Sequence, residues 1–471
     1  MTPSDFSARR ALLWTFSAVF LALAIGANDG RYSGVGMICL SLSISGAIAG
    51  VFAPSFLPPI PDSRRALNFA LGGGAVLFAA LSLSPAGTHS FWPAFLGCLT
   101  LCAAGAAILM RLSRLPLIRR ALLPLLLVIQ AMIGIWGING ARESEKNPAR
   151  FPFHVRNDVQ TFAEEAGRLL SEGKNPYSIR MPNVMGADLP FYAAGATGKD
   201  GRLPFGYPYL PLSALFSLPF YWLGDLRFAH VFALIGAAGF LAYARPSSTS
   251  KLAATLFLLF PSTTFVLLMS WTEPVVLFFL GATLFCRFRA PKWLFLALGC
   301  LIASKQYAFF VLALLPLLVP EKTELRPLFW KSIGVALLLS VPMALWDVGG
   351  FYRSVIEIQF KQPFRADSLS YLVTVLRAGG PQLSPIFGFA ALLAGLFFAL
   401  KRAPRGAASW CSASALAYLG FFALNKQAFA NYYFWPFGLL AAAVAVALPS
   451  ETETETAGSP ISVSQIPHSV D

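Results

Sequence analysis

Asp158 stands directly after Asn157, at the start of an amphipathic pattern inside residues 139 to 207, the one long polar stretch of an otherwise apolar chain. A carboxylate there would face a membrane boundary, where a lipid and a polar molecule can meet. Either residue could also cap the helix, a role that alone explains both residue types. Lys305 interrupts the apolar run 293–319. Two passes of about 12 to 14 residues reach only about 18 to 21 Å at 1.5 Å per residue, so their junction is expected to be recessed. A recessed lysine is costly unless it meets a partner or water. A lipid phosphate is a natural ligand, with pairing to a carboxylate or snorkelling to the headgroups as structural alternatives. Lys426, at the expected outer end of the final span, offers a second cation or an interfacial anchor. Arg365, with Asp367 and Ser368, and Glu273, in the Trp271–Pro274 turn, lie in connectors where charge also serves solvation. Tyr177, Tyr207, Trp271, Tyr432 and Tyr433 could stack on a sugar or polyprenyl chain, although aromatics at this depth commonly form interface belts. His154, four residues before Asp158, reads as a solvated loop histidine because Pro152 places the helix start after it.

The elements that must position these residues are set by composition. With 56% hydrophobic and 12% charged residues and a mean hydropathy of +0.64, the chain reads as a polytopic membrane protein. Apolar runs able to span or nearly span about 30 Å of hydrocarbon fall near 11–27, 35–53, 66–84, 91–110 and 121–138. A second series falls near 228–244, 252–270, 274–289, 293–319, 328–346, 386–401, 408–424 and 429–448. Runs this long and apolar must be helices, so the expected fold is all-α. The net charge of +14 is gathered in short connectors: Arg9 and Arg10, Arg64 and Arg65, Arg111 to Arg120, Arg245 and Lys251, Arg287 to Lys292, Lys322 to Lys331, and Lys401 to Arg405. This pattern orients a membrane protein and does not suggest nucleic-acid binding. One topology places every cluster inside, with both termini inside, the polar stretch outside, 208–223 lying at the outer surface, and about fourteen crossings. Arg9 and Arg10 before a run ending at Ala24–Ala27 also resemble a signal peptide, but the polytopic context favours an uncleaved anchor. The six cysteines, Cys39, Cys98, Cys102, Cys286, Cys300 and Cys411, fall in expected spans and form no disulfide or metal-ligand spacing. The Glu/Thr run from Glu451 lacks helical periodicity and is expected to be a disordered tail.

Within the polar stretch, Val159, Phe162, Ala163, Ala166, Leu169 and Leu170 share one face, with Glu164, Glu165 and Arg168 opposite. This predicts a helix lying on the membrane surface, ended by Gly173 and turned away by Asn175-Pro176-Tyr177. The aromatic and proline-rich Phe205-Gly206-Tyr207-Pro208-Tyr209-Leu210-Pro211-Leu212 follows. In this order the segments resemble the first outer loop of GT-C glycosyltransferases, in particular the polyprenol-phosphate-sugar-dependent, mannosyltransferase-like branch, glycosyltransferase family 87. Ser304-Lys305-Gln306-Tyr307 and Asn425-Lys426-Gln427-Ala428-Phe429-Ala430-Asn431-Tyr432-Tyr433 are similar to that family's other outer-facing signatures. The resemblance covers roughly residues 120–448. The chain departs from the commoner pattern in carrying Tyr-Pro-Tyr-Leu-Pro in place of Tyr-Pro-Pro, and a lone Asp158 in place of an acidic pair.

The resemblance implies transfer of a sugar, with inversion, from a polyprenyl-phosphate donor to a hydroxyl of a glycan or glycolipid acceptor at the outer face of the inner, or plasma, membrane. That reaction needs a base on the acceptor and cations for the phosphate left behind. Asp158 is then the candidate base. Lys305, Gln306, Lys426, Asn175, Tyr177, Tyr207, Glu273 and Arg365 are the candidate substrate contacts. No cofactor is implied, and a lone aspartate suits metal-free base catalysis as well as catalysis with a divalent cation. The expected organisation is an N-terminal four-helix bundle over 1–118 and a GT-C-like module over 119–448, with outer loops 139–207 and 347–385. A tail over 449–471 completes it. The competing class is a transporter or flippase, against which stand few intramembrane charges, no visible inverted repeat and a polar loop on one side only. A polysaccharide polymerase or ligase would be expected to carry arginine-rich outer loops without this motif order. A purely structural subunit is the blandest alternative. The sequence carries no P-loop, Rossmann fingerprint or zinc motif, which argues against nucleotide-driven chemistry.

Overall fold

The computed structural model describes residues 3–52, 62–83, 116–147, 157–185, 191–192, 196–450 and 453. The expected span 91–110, Cys98, Cys102, Arg111, Arg114 and His154, and all of the expected tail except Pro449, Ser450 and Glu453, lie outside them. The described residues are helical, with two isolated β-bridges and no strand among them. Membrane-length helices are α1 (Pro3–Gly26), α2 (Gly34–Phe52), α3 (Ser63–Leu83) and α4 (Pro116–Lys146). After them come α5 (Asp158–Ser171), α6 (Pro211–Trp222), α7 (Arg227–Ala244), α8 (Ser248–Leu258), α9 (Thr263–Leu268), α10 (Glu273–Arg289) and α11 (Leu294–Ser304). A 3-10 stretch over Gln306–Leu314 and a turn over Leu315–Leu318 lead to α12 (Lys322–Trp346). The chain closes with α13 (Tyr371–Arg377), α14 (Ile386–Arg402), α15 (Ala407–Ala423) and α16 (Ala430–Ala445).

Among the described residues, five segments are long and apolar enough to cross a membrane: Asp5–Gly26, Gly34–Phe52, Leu123–Lys146, Arg227–Ala244 and Lys322–Trp346. The all-α, membrane-associated character read from the sequence therefore holds. Apolar side chains on the outside of α12 and α14, such as Leu338, Leu345, Leu393 and Phe397, are exposed as a lipid-facing surface requires. The expected span 252–270 is not one helix. It breaks between α8 and α9 at Pro261, which lacks an N–H and disfavours helical backbone in the residue before it.

Contacts define two ends of the bundle. At one end, Arg287 donates to the Leu318 carbonyl, Gly406 N–H to the Leu317 carbonyl and Arg245 to the Val446 carbonyl. At the other, Lys305 meets Glu273, the first residue of α10. Residues 294–318 thus run away from the Arg287 end and return to it, with Lys305 at the apex where the helix breaks. Nine residues of 3-10 helix rise about 18 Å at 2.0 Å each, close to the eleven residues of α11 at 1.5 Å.

The polar loop caps the Lys305 end. Gly173, at φ +67°, ends α5, and Lys174 N–H returns to the Leu169 carbonyl. The apolar face of α5 does not lie on lipid. Phe162 and Ala166 are buried in a small core with Tyr177, Met181, Leu203, Phe205, Tyr207, Val355 and Ile358, so the outer loop covers the face that the sequence suggested for the membrane. Helix α6 stays at the same end, its Trp222 indole donating to Ser171 at 2.8 Å. The described N-terminal helices share the main core: α1 packs on α16, α2 on α15 and α3 on α8.

Candidate functional site

Asn157, not Asp158, caps α5. Its side-chain oxygen accepts the Gln160 N–H at 2.9 Å, and its amide nitrogen donates to the Met269 carbonyl at 2.9 Å. One residue therefore closes the helix end and ties it to the turn before α10. Asp158 is half-buried. It accepts the Val159 N–H at 2.9 Å and, through Oδ2, the Tyr192 hydroxyl at 2.7 Å. Burial first, then the Asp158 charge, raise the Tyr192 hydroxyl far above its ordinary range, so it stays a proton donor to that carboxylate.

The chain from Met269 passes through Ser270, a non-glycine residue at φ +56°, to Glu273. Glu273 is fully buried and forms an ion pair with Lys305, and the Tyr307 hydroxyl reaches the same oxygen at 3.3 Å. Lys305 adopts extended backbone between α11 and the 3-10 stretch, and its ammonium lies 5.3 Å from the ring centres of both Tyr209 and Tyr307. The recessed lysine therefore meets a carboxylate and two aromatic faces. The second oxygen of Glu273 has no partner among the described residues. Tyr209 and Tyr432 each lie near enough to both Asp158 and Glu273 to feel their charges, and Tyr432 also feels Arg365, so these groups belong to one neighbourhood at the loop-bearing end.

The remaining candidates are held in different ways. Gln306 donates to the carbonyls of Pro208 at 2.8 Å and Val355 at 3.2 Å, pinning the proline-rich segment beside Lys305. Asn175 accepts the Tyr177 N–H at 3.0 Å, forming an Asx turn. Tyr177 and Tyr207 are each 1% exposed; their hydroxyls reach the Tyr209 carbonyl at 2.7 Å and Ser213 at 2.9 Å. These three residues build the loop and present little surface to a ligand. Gly206 lets the two motifs touch, since a Cβ there would lie 2.5 Å from the Pro176 carbonyl oxygen. Arg365 makes two bonds to Asp367, at 2.9 and 2.8 Å, and its guanidinium lies over the rings of Phe191 and Phe429. Lys426 donates to the carbonyls of Phe360 at 2.8 Å and Gln362 at 2.6 Å, and burial lowers its affinity for a proton. Arg365 N–H binds the Lys426 carbonyl at 3.0 Å, so the second outer loop and the start of α16 are locked together.

Sequence reasoning missed Tyr192, Phe191 and Tyr209 as contacts of Asp158, Arg365 and Lys305. The first two fall in a Gly- and Ala-rich stretch with no periodicity to flag them. A separate cleft of about 460 Å³ lies on the charged side of α5, lined by Arg142, Glu145, Glu164, Arg168, Asp225 and Arg227 among others. Its charges answer one another: Arg227 bonds Asp225 at 2.7 Å and Glu145 at 3.2 Å, and Arg168 bonds Glu165 at 2.8 Å. Among the described residues, no three His, Cys, Asp or Glu side chains gather as a metal ion would need. Comparison of the chain with protein-family models, curated proteins and solved structures finds no match.

Proposed function

We propose that the chain is a multi-pass membrane glycosyltransferase of the GT-C kind, moving a sugar from a polyprenyl-phosphate donor to an acceptor hydroxyl at the outer face of the inner membrane. The observation that carries this reading is the division of labour at α5. Asn157 takes the cap, which leaves the Asp158 carboxylate to Tyr192 and near Tyr209, the ring that Lys305 also faces. A base for the acceptor and a cation for the departing phosphate are the two groups such a transfer demands. Arg365, whose charge reaches Tyr432, and Lys426, whose carbonyl accepts the Arg365 N–H, supply further positive charge. The finer topology belongs to the same proposal: about fourteen crossings with both termini inside. The basic residues at the Arg245 and Arg287 end, opposite the polar loop, support that orientation.

Sugar transfer by purified protein in lipid, offered a panel of polyprenyl-phosphate sugars and a membrane-glycan extract, tests the reading. Labelled sugar should move to the acceptor. The buried Lys305–Glu273 pair favours one second reading, a transporter or flippase, because charges inside spanning segments commonly line substrate paths. That reading expects the labelled lipid to change leaflets intact, with no glycosyl product.

A further inference from the structure

The Lys305–Glu273 pair poses a charge problem that the proposed function must solve. Both side chains are at least nine-tenths buried, and Glu273 Oε2 is without a partner among the described residues. A phosphodiester that takes Lys305 as its cation leaves a buried carboxylate alone beside a second anion, which is strongly unfavourable in a low-dielectric site. Charged and titratable groups around Glu273 are few. From the 294–318 hairpin come Lys305 and Tyr307; Tyr209 comes from the loop and Tyr432 from α16. Asp158 is near enough to both tyrosines, and Arg365 to Tyr432, to act on them by charge. On α7, His230 faces Asp225 and Arg227. Arg365 is already held by Asp367, so among these groups no spare cation stands ready to replace Lys305.

Resting on the glycosyltransferase reading, we propose that Glu273 is a proton-coupled partner of donor binding: Lys305 exchanges the Glu273 carboxylate for the donor's phosphodiester, and Glu273 takes one proton from water. The balance is simple. One ion pair breaks, another forms, one O–H bond is made at Glu273 as one bond to hydrogen breaks in the hydronium or protonated buffer that supplies the proton, and the site's net charge is the same before and after the singly charged diester enters. The unpartnered Oε2 is the atom with room to carry that proton, since Tyr307 stays bonded at Oε1. Release of the product phosphate would return the proton and restore the pair.

The test is calorimetric titration of the full-length protein in nanodiscs with a polyprenyl phosphate methyl diester, which has no second acidic proton. It is run in two buffers of different ionisation enthalpy across pH 6 to 9. The wild type should take up about one proton per diester, and its Kd should rise about tenfold per pH unit over the linked range. Glu273→Gln should bind with no proton uptake and a flat pH profile. Binding by the wild type without proton uptake overturns the coupling while leaving the phosphate site intact, and this result needs no variant to fold. No binding by the wild type at any pH removes the phosphate reading and the coupling with it. Proton uptake unchanged in a folded Glu273→Gln variant overturns the assignment to Glu273.

Discussion

Asn157 and Asp158 are adjacent, chemically alike and differently employed. Either could cap a helix, and their order decides which one does. The N-cap position carries extended backbone (φ −136°, ψ 176° at Asn157), and its side chain turns back to the N–H three residues on. The next residue is already helical, so its carboxylate projects away from that bond toward Tyr192. Replacing Asn157 with Ala should cost about 1 to 2 kcal/mol, from the lost cap and the lost tie to Met269. Asn157→Ser keeps the cap oxygen and should recover most of that. Thermal unfolding of the two variants in one detergent or lipid checks the ranking; equal losses would mean that the tie, not the cap, dominates. Lys305 shows the limit of reading single residues. Its recessed position was legible from the short apolar passes around it, whereas its partner Glu273, thirty-two residues earlier, was legible only as a charge in a turn.

At the scale of elements, helix existence followed from hydropathy and end signals, and the interruptions at Lys305 and Pro261 followed from one polar residue and one imino acid. Only the first was anticipated. What faces what was less legible. The apolar stripe of α5 was read correctly as a stripe, but periodicity cannot distinguish lipid from protein as its cover, and Phe205, Tyr177 and Val355 supply protein. The turn between α1 and α2 shows the same gap. Tyr32 N–H binds the Asp367 carbonyl at 2.8 Å, and Arg377 stacks over the Tyr32 ring. Gly30, at φ +71°, sits so close to the start of α16 that a Cβ would lie 2.2 Å from the Ala430 backbone nitrogen. This turn thus braces both segments that carry Arg365 and Lys426. Gly30→Ala combines a left-handed backbone with a clash against backbone. It should lower stability by more than the roughly 1 kcal/mol of the conformational term alone. Measured by thermal unfolding, a neutral substitution would show that the turn is not packed on α16.

For the whole molecule, the N-terminal helices read from sequence as an added bundle, yet those described pack into the same core as the later helices. Short-range patterns show where a chain is apolar but not which distant runs will meet. The proposed orientation has a direct check. Lys174 and Arg289 are both exposed, at opposite ends of the bundle. A cysteine at 174 should react with an impermeant thiol reagent added to intact cells, and one at 289 only after the membrane is opened; the reverse pattern would end the topology.

The most direct measurement is sugar transfer from a polyprenyl-phosphate donor by wild type and Asp158→Asn, each shown to be folded by its unfolding profile. A carboxylate acting as general base is expected to support about 10²- to 10⁴-fold of the rate. The account predicts turnover by the wild type and a loss of that size in the variant, with donor binding retained. Turnover undiminished in folded Asp158→Asn would contradict Asp158 as the base.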